Sequence, residues 1–135
     1  MKKLFKLFLS LVVCSLTITL SSCSKYISSY KAIGLVRMNT LSKVETSFYS
    51  LEGTLVFKVK NPSKDSECDI DYFDQVDEGE VNVYYDNTGT KEKLVTVTKG
   101  QSVEDKGANI EKGESVYIII EASKGSRGKV EIKLD

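Results

Sequence analysis

Residues 54–60 decide the fold class, because they read Thr-Leu-Val-Phe-Lys-Val-Lys and alternate polar with apolar side chains. In an extended chain Leu55, Phe57 and Val59 share one face, and the polar residues of the stretch share the other with Val56. Alternation with a period of two is typical of a strand that is buried on one side. The stretch therefore predicts a strand that lays Leu55, Phe57 and Val59 on a core.

Further segments towards the carboxyl end share this β-branched or alternating composition: 80–85, 93–98, 115–121 and 129–134. Segment 115–121 is apolar on both faces, which favours a central strand. The stretch Lys124–Gly128 between the last two segments has the composition of a turn, so we expect these two to form an antiparallel hairpin. Two weaker strand candidates, 32–37 and 44–51, precede the opening segment.

These segments amount to six or seven strands, separated by turn signals, and no stretch after residue 22 shows helical periodicity. The pattern predicts an all-β fold: a small antiparallel β-sandwich or jelly-roll-like domain over residues 34–135. The chain has 135 residues, 41% of them hydrophobic and 28% charged, which suits one folded domain. A net charge of zero argues against a basic nucleic-acid binder, and we expect no nucleic-acid partner.

The chain contains no histidine. Histidine is the most common general base at neutral pH and a frequent zinc ligand, so histidine-based triads and most zinc sites are excluded. No dinucleotide, kinase or hydrolase motif is present either. We therefore expect a protein that is not an enzyme.

Residues 1–22 differ from the rest, with lysines at 2, 3 and 6 followed by an uncharged apolar stretch from Leu7 to Leu20. A positive start, a short apolar region and a small-residue exit are typical of an export signal. The stretch is short for a membrane-spanning helix, which needs about 20 apolar residues.

The end of this signal, Leu20-Ser21-Ser22-Cys23, resembles the lipobox of bacterial lipoprotein precursors. The resemblance implies that the signal is cut before Cys23 and that Cys23 carries the lipid. It implies an exported envelope protein anchored in the membrane, in the outer membrane if the source is Gram-negative, because Ser24 is not an aspartate. The alternative is an ordinary secretory signal that is cut nearby, with Cys23 not lipidated.

Residues 23–33 then comprise the lipidated cysteine and a serine-containing tether, although residues up to 33 could equally form the first strand. A flexible coil of ten residues spans roughly 17 Å. With Cys23 lipidated, Cys68 is the single thiol of the mature domain. Its acidic neighbours oppose a reactive thiolate, so we expect Cys68 to be buried and inert.

Residues 61–79 are expected to form a long acidic loop. Between Asp65 and Asp86 there are nine acidic residues and no basic one. Closely spaced carboxylates can supply the oxygen ligands that Ca²⁺ prefers. The candidate metal ligands are therefore Asp69, Asp71, Asp74, Asp77, Glu78 and Glu80. A solvated loop without metal is the simpler alternative. The sequence therefore leaves two options: the protein has no cofactor, or it binds Ca²⁺.

Tyr72, Phe73, Tyr84 and Tyr85 lie beside this stretch, and aromatic faces stack on sugar rings, so the three tyrosines are candidate ligand-binding residues. Core packing is the simpler interpretation of tyrosines in a strand. Together the residues indicate a lipid-anchored envelope protein with a non-catalytic structural or binding role, its partner a protein or a glycan. The alternatives are a calcium-binding module and a hydrolase that uses two of the clustered carboxylates.

Overall fold

The computed structural model describes residues 25–134, which form eight strands and no helix. The strands are β1 (Ser29–Ile33), β2 (Val36–Asn39), β3 (Lys43–Lys60), β4 (Cys68–Glu78), β5 (Glu80–Asp86), β6 (Glu92–Thr98), β7 (Gln101–Ile110) and β8 (Ser115–Leu134). All the strand pairs are antiparallel. Within this part of the chain no helix is long and apolar enough to cross a membrane.

The architecture is a sheet of five long ribbons folded once across its middle. β3 and β8 each pass through the bend as one long strand. Each of the other three ribbons is two consecutive strands, one on either side of the bend: β1 and β2, β4 and β5, and β6 and β7. Register shifts mark the bend in β3 between Phe48 and Gly53 and that in β4 between Val76 and Glu78. Glycines with positive φ lie at or near the bends: Gly34, Gly53, Gly79, Gly100 and Gly125.

Folding the ribbons produces two layers. The front layer consists of β2, the first half of β3 (43–48), the second half of β8 (128–134), β4 and β7, in that order. The back layer consists of β1, the second half of β3 (53–60), the first half of β8 (115–122), β5 and β6. The chain is therefore an all-β sandwich, as its residue pattern predicts.

One hydrophobic core lies between the two layers. Leu55, Phe57 and Val59 supply it from the back layer, and Ile70 and Ile132 are among its members from the front layer. The inward residues are almost completely buried, and most alternate with an outward residue that water reaches; Ile119 of β8 is an outward residue that is buried too. At about 25 cal/mol per Å² of apolar area, this burial is the main term that holds the layers together.

The inward face predicted for residues 54–60 is confirmed, as is the central position of 115–121, which lies between β3 and β5. Cys68 is buried, as expected. Residues 1–22 and Cys23 lie outside the described part of the chain, so the signal and lipidation predictions remain predictions. Residues 29–33 form β1, which is the first-strand alternative and not the tether.

The predicted hairpin between 115–121 and 129–134 is wrong. Both segments belong to β8, a single strand that bends at 122–128. The turn-like residues bend the strand without reversing it, because β3 pairs with β8 on both sides of them. Ser126 is buried at the bend, and its hydroxyl lies 2.7 Å from the backbone oxygen of Ser123 and 3.2 Å from that of Glu80, to which it donates. These bonds satisfy groups that would otherwise need a turn or water.

The acidic loop predicted over 61–79 is wrong as well, since Cys68–Glu78 is strand β4. Every second residue of β4 is apolar or buried, and β7 and β8 pair with it on either side. The true connection is 61–67. The buried amide of Asn61 anchors it, donating to the carbonyl oxygens of Ser66, Ile110 and Glu111 at 3.0–3.2 Å.

Candidate functional site

The outer face of the front layer carries an open groove of about 680 Å³. Its lining comes from β3, β4, β7 and β8: Lys43, Asp71, Tyr72, Phe73, Glu104, Asp105, Lys106, Glu131, Ile132 and Lys133. Four strands that are distant in sequence meet here because β8 crosses the middle of the sheet. The groove is consequently built on rigid strands and not on loops.

Two rows of side chains cross the floor of the groove. In one row Phe73 of β4 lies between its register partners Glu131 of β8 and Glu104 of β7. In the next row Asp71 lies between Lys133 and Lys106. Residues opposite each other in neighbouring strands have Cβ atoms about 4.5–5.5 Å apart, so each row is one continuous surface.

Asp71 carries a carboxylate that forms an ion pair with Lys106 in the groove. Its Oδ1 accepts no hydrogen bond from residues 25–134 but forms an ion pair with Lys106 Nζ at 3.7 Å. The side chains of Lys106 and Asp71 are 69% and 28% exposed, so water reaches this ion pair. Asp71 therefore offers a partly exposed carboxylate to the groove, on the same face of β4 as Phe73.

Asp74 lies on the other side of β4, in the core. Its side chain is completely buried, and neither carboxylate oxygen has a hydrogen-bond partner in the described chain. Desolvation raises the pKa of Asp74 to about 7. This carboxyl is separated from the groove by the strand itself, so it cannot act as a general acid there.

The candidate metal ligands do not converge. Asp69, Asp71 and Asp77 project outward from β4, whereas Asp74 projects inward. Glu78 pairs with Lys99 at the bend, where the Oε1–Nζ distance is 3.3 Å, and Glu80 begins the back layer. Among residues 25–134 no group of three Cys, Asp or Glu side chains could hold a metal ion. The six residues proposed from sequence are therefore not one site.

The three candidate tyrosines also lie apart. Tyr72 projects into the core and is 8% exposed, and burial raises the pKa of its hydroxyl. Tyr84 lies on the outer face of the back layer, with Lys91 Nζ 4.2 Å from its ring centroid. The hydroxyl of Tyr85 donates to Glu92 Oε2 at 2.6 Å. Tyr72 contributes to the lining of the groove although it is almost completely buried, and Tyr84 and Tyr85 do not line it.

The aromatic residue of the groove is Phe73, and its partners are lysines and glutamates from β7 and β8. The alternation of β4 could have indicated Phe73, because 69, 71, 73, 75 and 77 share one face once the segment is treated as a strand. The partners could not be found in this way, since they depend on which strands pair with β4. From the sequence, Asp71 was a candidate metal ligand, Tyr72 a candidate ligand-binding residue and Phe73 an aromatic neighbour of the acidic stretch.

No protein-family model matches the chain, and no curated protein matches it in sequence. Among solved structures, a family 29 carbohydrate-binding module is similar at 13% identity, with 79% of this chain and 75% of that chain covered and a TM-score of 0.38. A family 61 module in complex with β-1,4-galactotriose has 13% identity, covers 82% and 80%, and has a TM-score of 0.41. Drosophila melanogaster CENP-C bound to CAL1 has 12% identity, covers 77% and 85%, and has a TM-score of 0.30. At these low identities and TM-scores, the ligand must be argued from this chain's own side chains.

Proposed function

We propose that this protein is a lipid-anchored bacterial envelope protein that binds a glycan in the groove of the front layer and does not transform it. The observation that carries the proposal is that Phe73 and the partly exposed carboxylate of Asp71 share one face of β4, each set between its register partners, the glutamates and the lysines. A sugar ring has apolar C–H faces that stack on an aromatic ring and hydroxyls that both donate and accept hydrogen bonds. The groove supplies each of these complements.

A binding role fits the groove better than hydrolysis. Glycoside hydrolysis needs two carboxyl groups close together, one of which holds a proton near neutral pH. The carboxyl with a raised pKa, Asp74, lies behind the sheet. Glu131 and Glu104 stand on opposite sides of β4, about two strand spacings or roughly 10 Å apart along the sheet. These placements support recognition over catalysis.

Phe73→Ala tests the glycan site. We expect the dissociation constant for the bound glycan to rise at least about tenfold, since the lost stacking is worth about 1.4 kcal/mol or more. The measurement is calorimetry of the intact lipidated protein in detergent micelles against cello-, manno- and galacto-oligosaccharides and cell-wall amino-sugar strands. Tyr84→Ala, an aromatic deletion on the opposite face, is the matched control and is expected to bind normally. Equal loss in both variants, or binding to none of these glycans, contradicts the proposal.

Cys23→Ala tests the anchor separately. The lipobox resemblance implies that the Cys23 thiol carries the lipid, and two or more acyl chains hold a protein stably in a membrane. We expect the variant to lose metabolic palmitate label and to leave the membrane fraction. Retention of the label and of the membrane fraction contradicts lipidation at this residue and leaves the glycan site to be judged on its own.

A further inference from the structure

The segment Lys25–Ser28, here called the strap, crosses the outer face of the back layer. Ser28 sits on β3, where its Oγ accepts from the backbone N–H of Val56 at 2.8 Å. Tyr26 lies edge-on to Tyr117 of β8, with ring centroids 5.3 Å apart. Its hydroxyl then donates to Asp86 Oδ2 of β5 at 2.5 Å. The strap thus touches three successive strands on its way across the sheet.

Asp86 fixes the far end of the strap. Its side chain is 3% exposed and pairs with Lys25 Nζ at 3.0 Å, while its Oδ1 accepts from the backbone N–H of Gly89 at 2.7 Å. Burial raises the pKa of Asp86, but hydrogen bonds from Tyr26, Lys25 and Gly89 outweigh it, so the pKa is lowered overall. The carboxylate therefore stays charged at neutral pH and holds Lys25 in place.

The strap also fixes where a lipid on Cys23 can lie. Cys23 precedes Lys25 by two residues, and two residues of extended chain span at most about 7 Å. The flexible tether of roughly 17 Å expected from composition is replaced by a segment that hydrogen-bonds to the domain. An anchor at Cys23 therefore brings the membrane close to Asp86 and to the face around it.

The outer face of the back layer carries side chains that can contact lipid headgroups. Lys58 and Lys60 of β3 are exposed on it, and Lys58 Nζ lies 5.6 Å from the ring centroid of Tyr117. Ile27 on the strap is 77% exposed and Ile33 of β1 is 68% exposed. Lysine, tyrosine and exposed aliphatic side chains together are typical of membrane interfaces, and lysines are attracted to anionic lipids.

We propose that the outer face of the back layer, with the strap across it, lies on the surface of an anionic phospholipid bilayer. The inference rests on lipidation of Cys23 and goes beyond it, because it assigns which face of the domain the membrane covers. The groove of the front layer then points away from the membrane, towards ligands in the surrounding space.

Single tryptophans test this orientation, because the chain contains none. Ile27→Trp places the reporter on the strap, and Gln75→Trp places the control on the exposed outer face of the front layer. Each full-length variant, lipidated in bacteria, is reconstituted into phosphatidylglycerol-containing vesicles with brominated acyl chains. We expect strong quenching of the fluorescence at position 27 and little at 75. Replacing Lys58 and Lys60 together by glutamate is expected to reduce the quenching at 27 at least about twofold.

The outcomes separate the two proposals. If the lipidated protein floats with the vesicles but position 27 is unquenched, or position 75 is quenched instead, the orientation is wrong while the anchor stands. Cross-linking of the back layers of two copies, with position 27 unquenched, gives that face to a second copy and overturns the orientation as well. If the protein does not float with the vesicles at all, the anchor fails and the orientation fails with it.

Discussion

Replacing Asp74 by asparagine is expected to remove most of the dependence of stability on pH between about pH 4 and pH 7. The pKa of Asp74 is about 7 in the folded protein, whereas the ordinary pKa of an aspartate, which applies to the unfolded chain, is 3.8. The two values differ by about three pH units. In that interval the native state holds a proton that the unfolded state has released. The free energy of unfolding therefore falls as pH rises, by about 1.4 kcal/mol per unit and about 4 kcal/mol in all.

Asparagine keeps the shape of the side chain and cannot ionise. At pH 5 the variant and the wild-type protein are expected to agree within about 1 kcal/mol, since both side chains are then neutral. At pH 8 the variant is expected to be more stable by several kcal/mol, because the wild-type protein must bury a charge without a hydrogen-bond partner. Urea unfolding at a series of pH values measures both.

Asp77→Asn is the matched control, because Asp77 lies on the same strand and is exposed. It is expected to leave the pH profile of the wild-type protein unchanged. A wild-type protein whose stability is level from pH 4 to pH 8, or an Asp74→Asn variant that keeps the slope, contradicts the burial of a charged Asp74.

Replacing Gly79 by alanine is expected to lower the free energy of unfolding by about 3 kcal/mol or more. Gly79 joins β4 to β5 at the fold of the sheet, with φ at 83°, a region that side chains disfavour. A Cβ there also collides with the side chain and backbone of the buried Ser126 in β8. Alanine must therefore push β8 away from the bend, which strains the packing of both layers.

Gly100→Ala separates these two costs. Gly100 has almost the same φ, 79°, but no atom lies within 4 Å of the position of an added Cβ. It is expected to cost only about 1 kcal/mol, the conformational part alone. Thermal or urea unfolding of the two variants gives the comparison. Equal destabilisation of both would show that the close approach to Ser126 has no energetic weight.

The strands were predictable wherever alternation was regular. Residues 54–60 and 93–98 each form part of a strand, and 54–60 bury the predicted face. Alternation succeeds there because a half-buried strand imposes a period of two on the residues themselves. The local pattern is sufficient when no distant contact opposes it.

The two errors share a physical cause. The glycines and serine of 124–128 have turn composition, but whether they reverse the chain or bend it depends on the partner strands. Here β3 pairs with β8 on both sides of the bend. Residues 68–78 are poor in strand-forming composition because of their aspartates, yet pairing with β7 and β8 overrides that preference. In both segments, pairing with strands that are distant in sequence decides the local structure. A local residue pattern does not show which strands will pair.

The site was predictable to a smaller extent. Asp71 was found because it is one of a dense set of carboxylates, but the set divides between the two faces of β4. Phe73 becomes part of a binding surface because Glu131 and Glu104 lie on either side of it. These glutamates are more than 30 residues away in sequence and reach Phe73 only through strand register. Strand register also decides which residues share the outer face that carries the groove and which share the outer face that carries the strap.

The most direct test of the account is to map where a glycan touches the protein. The uniformly ¹⁵N-labelled lipidated protein in micelles is titrated with the glycan from the panel that binds most tightly, and amide shifts are recorded. The largest shifts are expected on Asp71, Phe73, Glu104 and Glu131, with the strap and β5 unchanged. Shifts concentrated on the outer face of the back layer, or spread without relation to the groove, contradict the proposed glycan site.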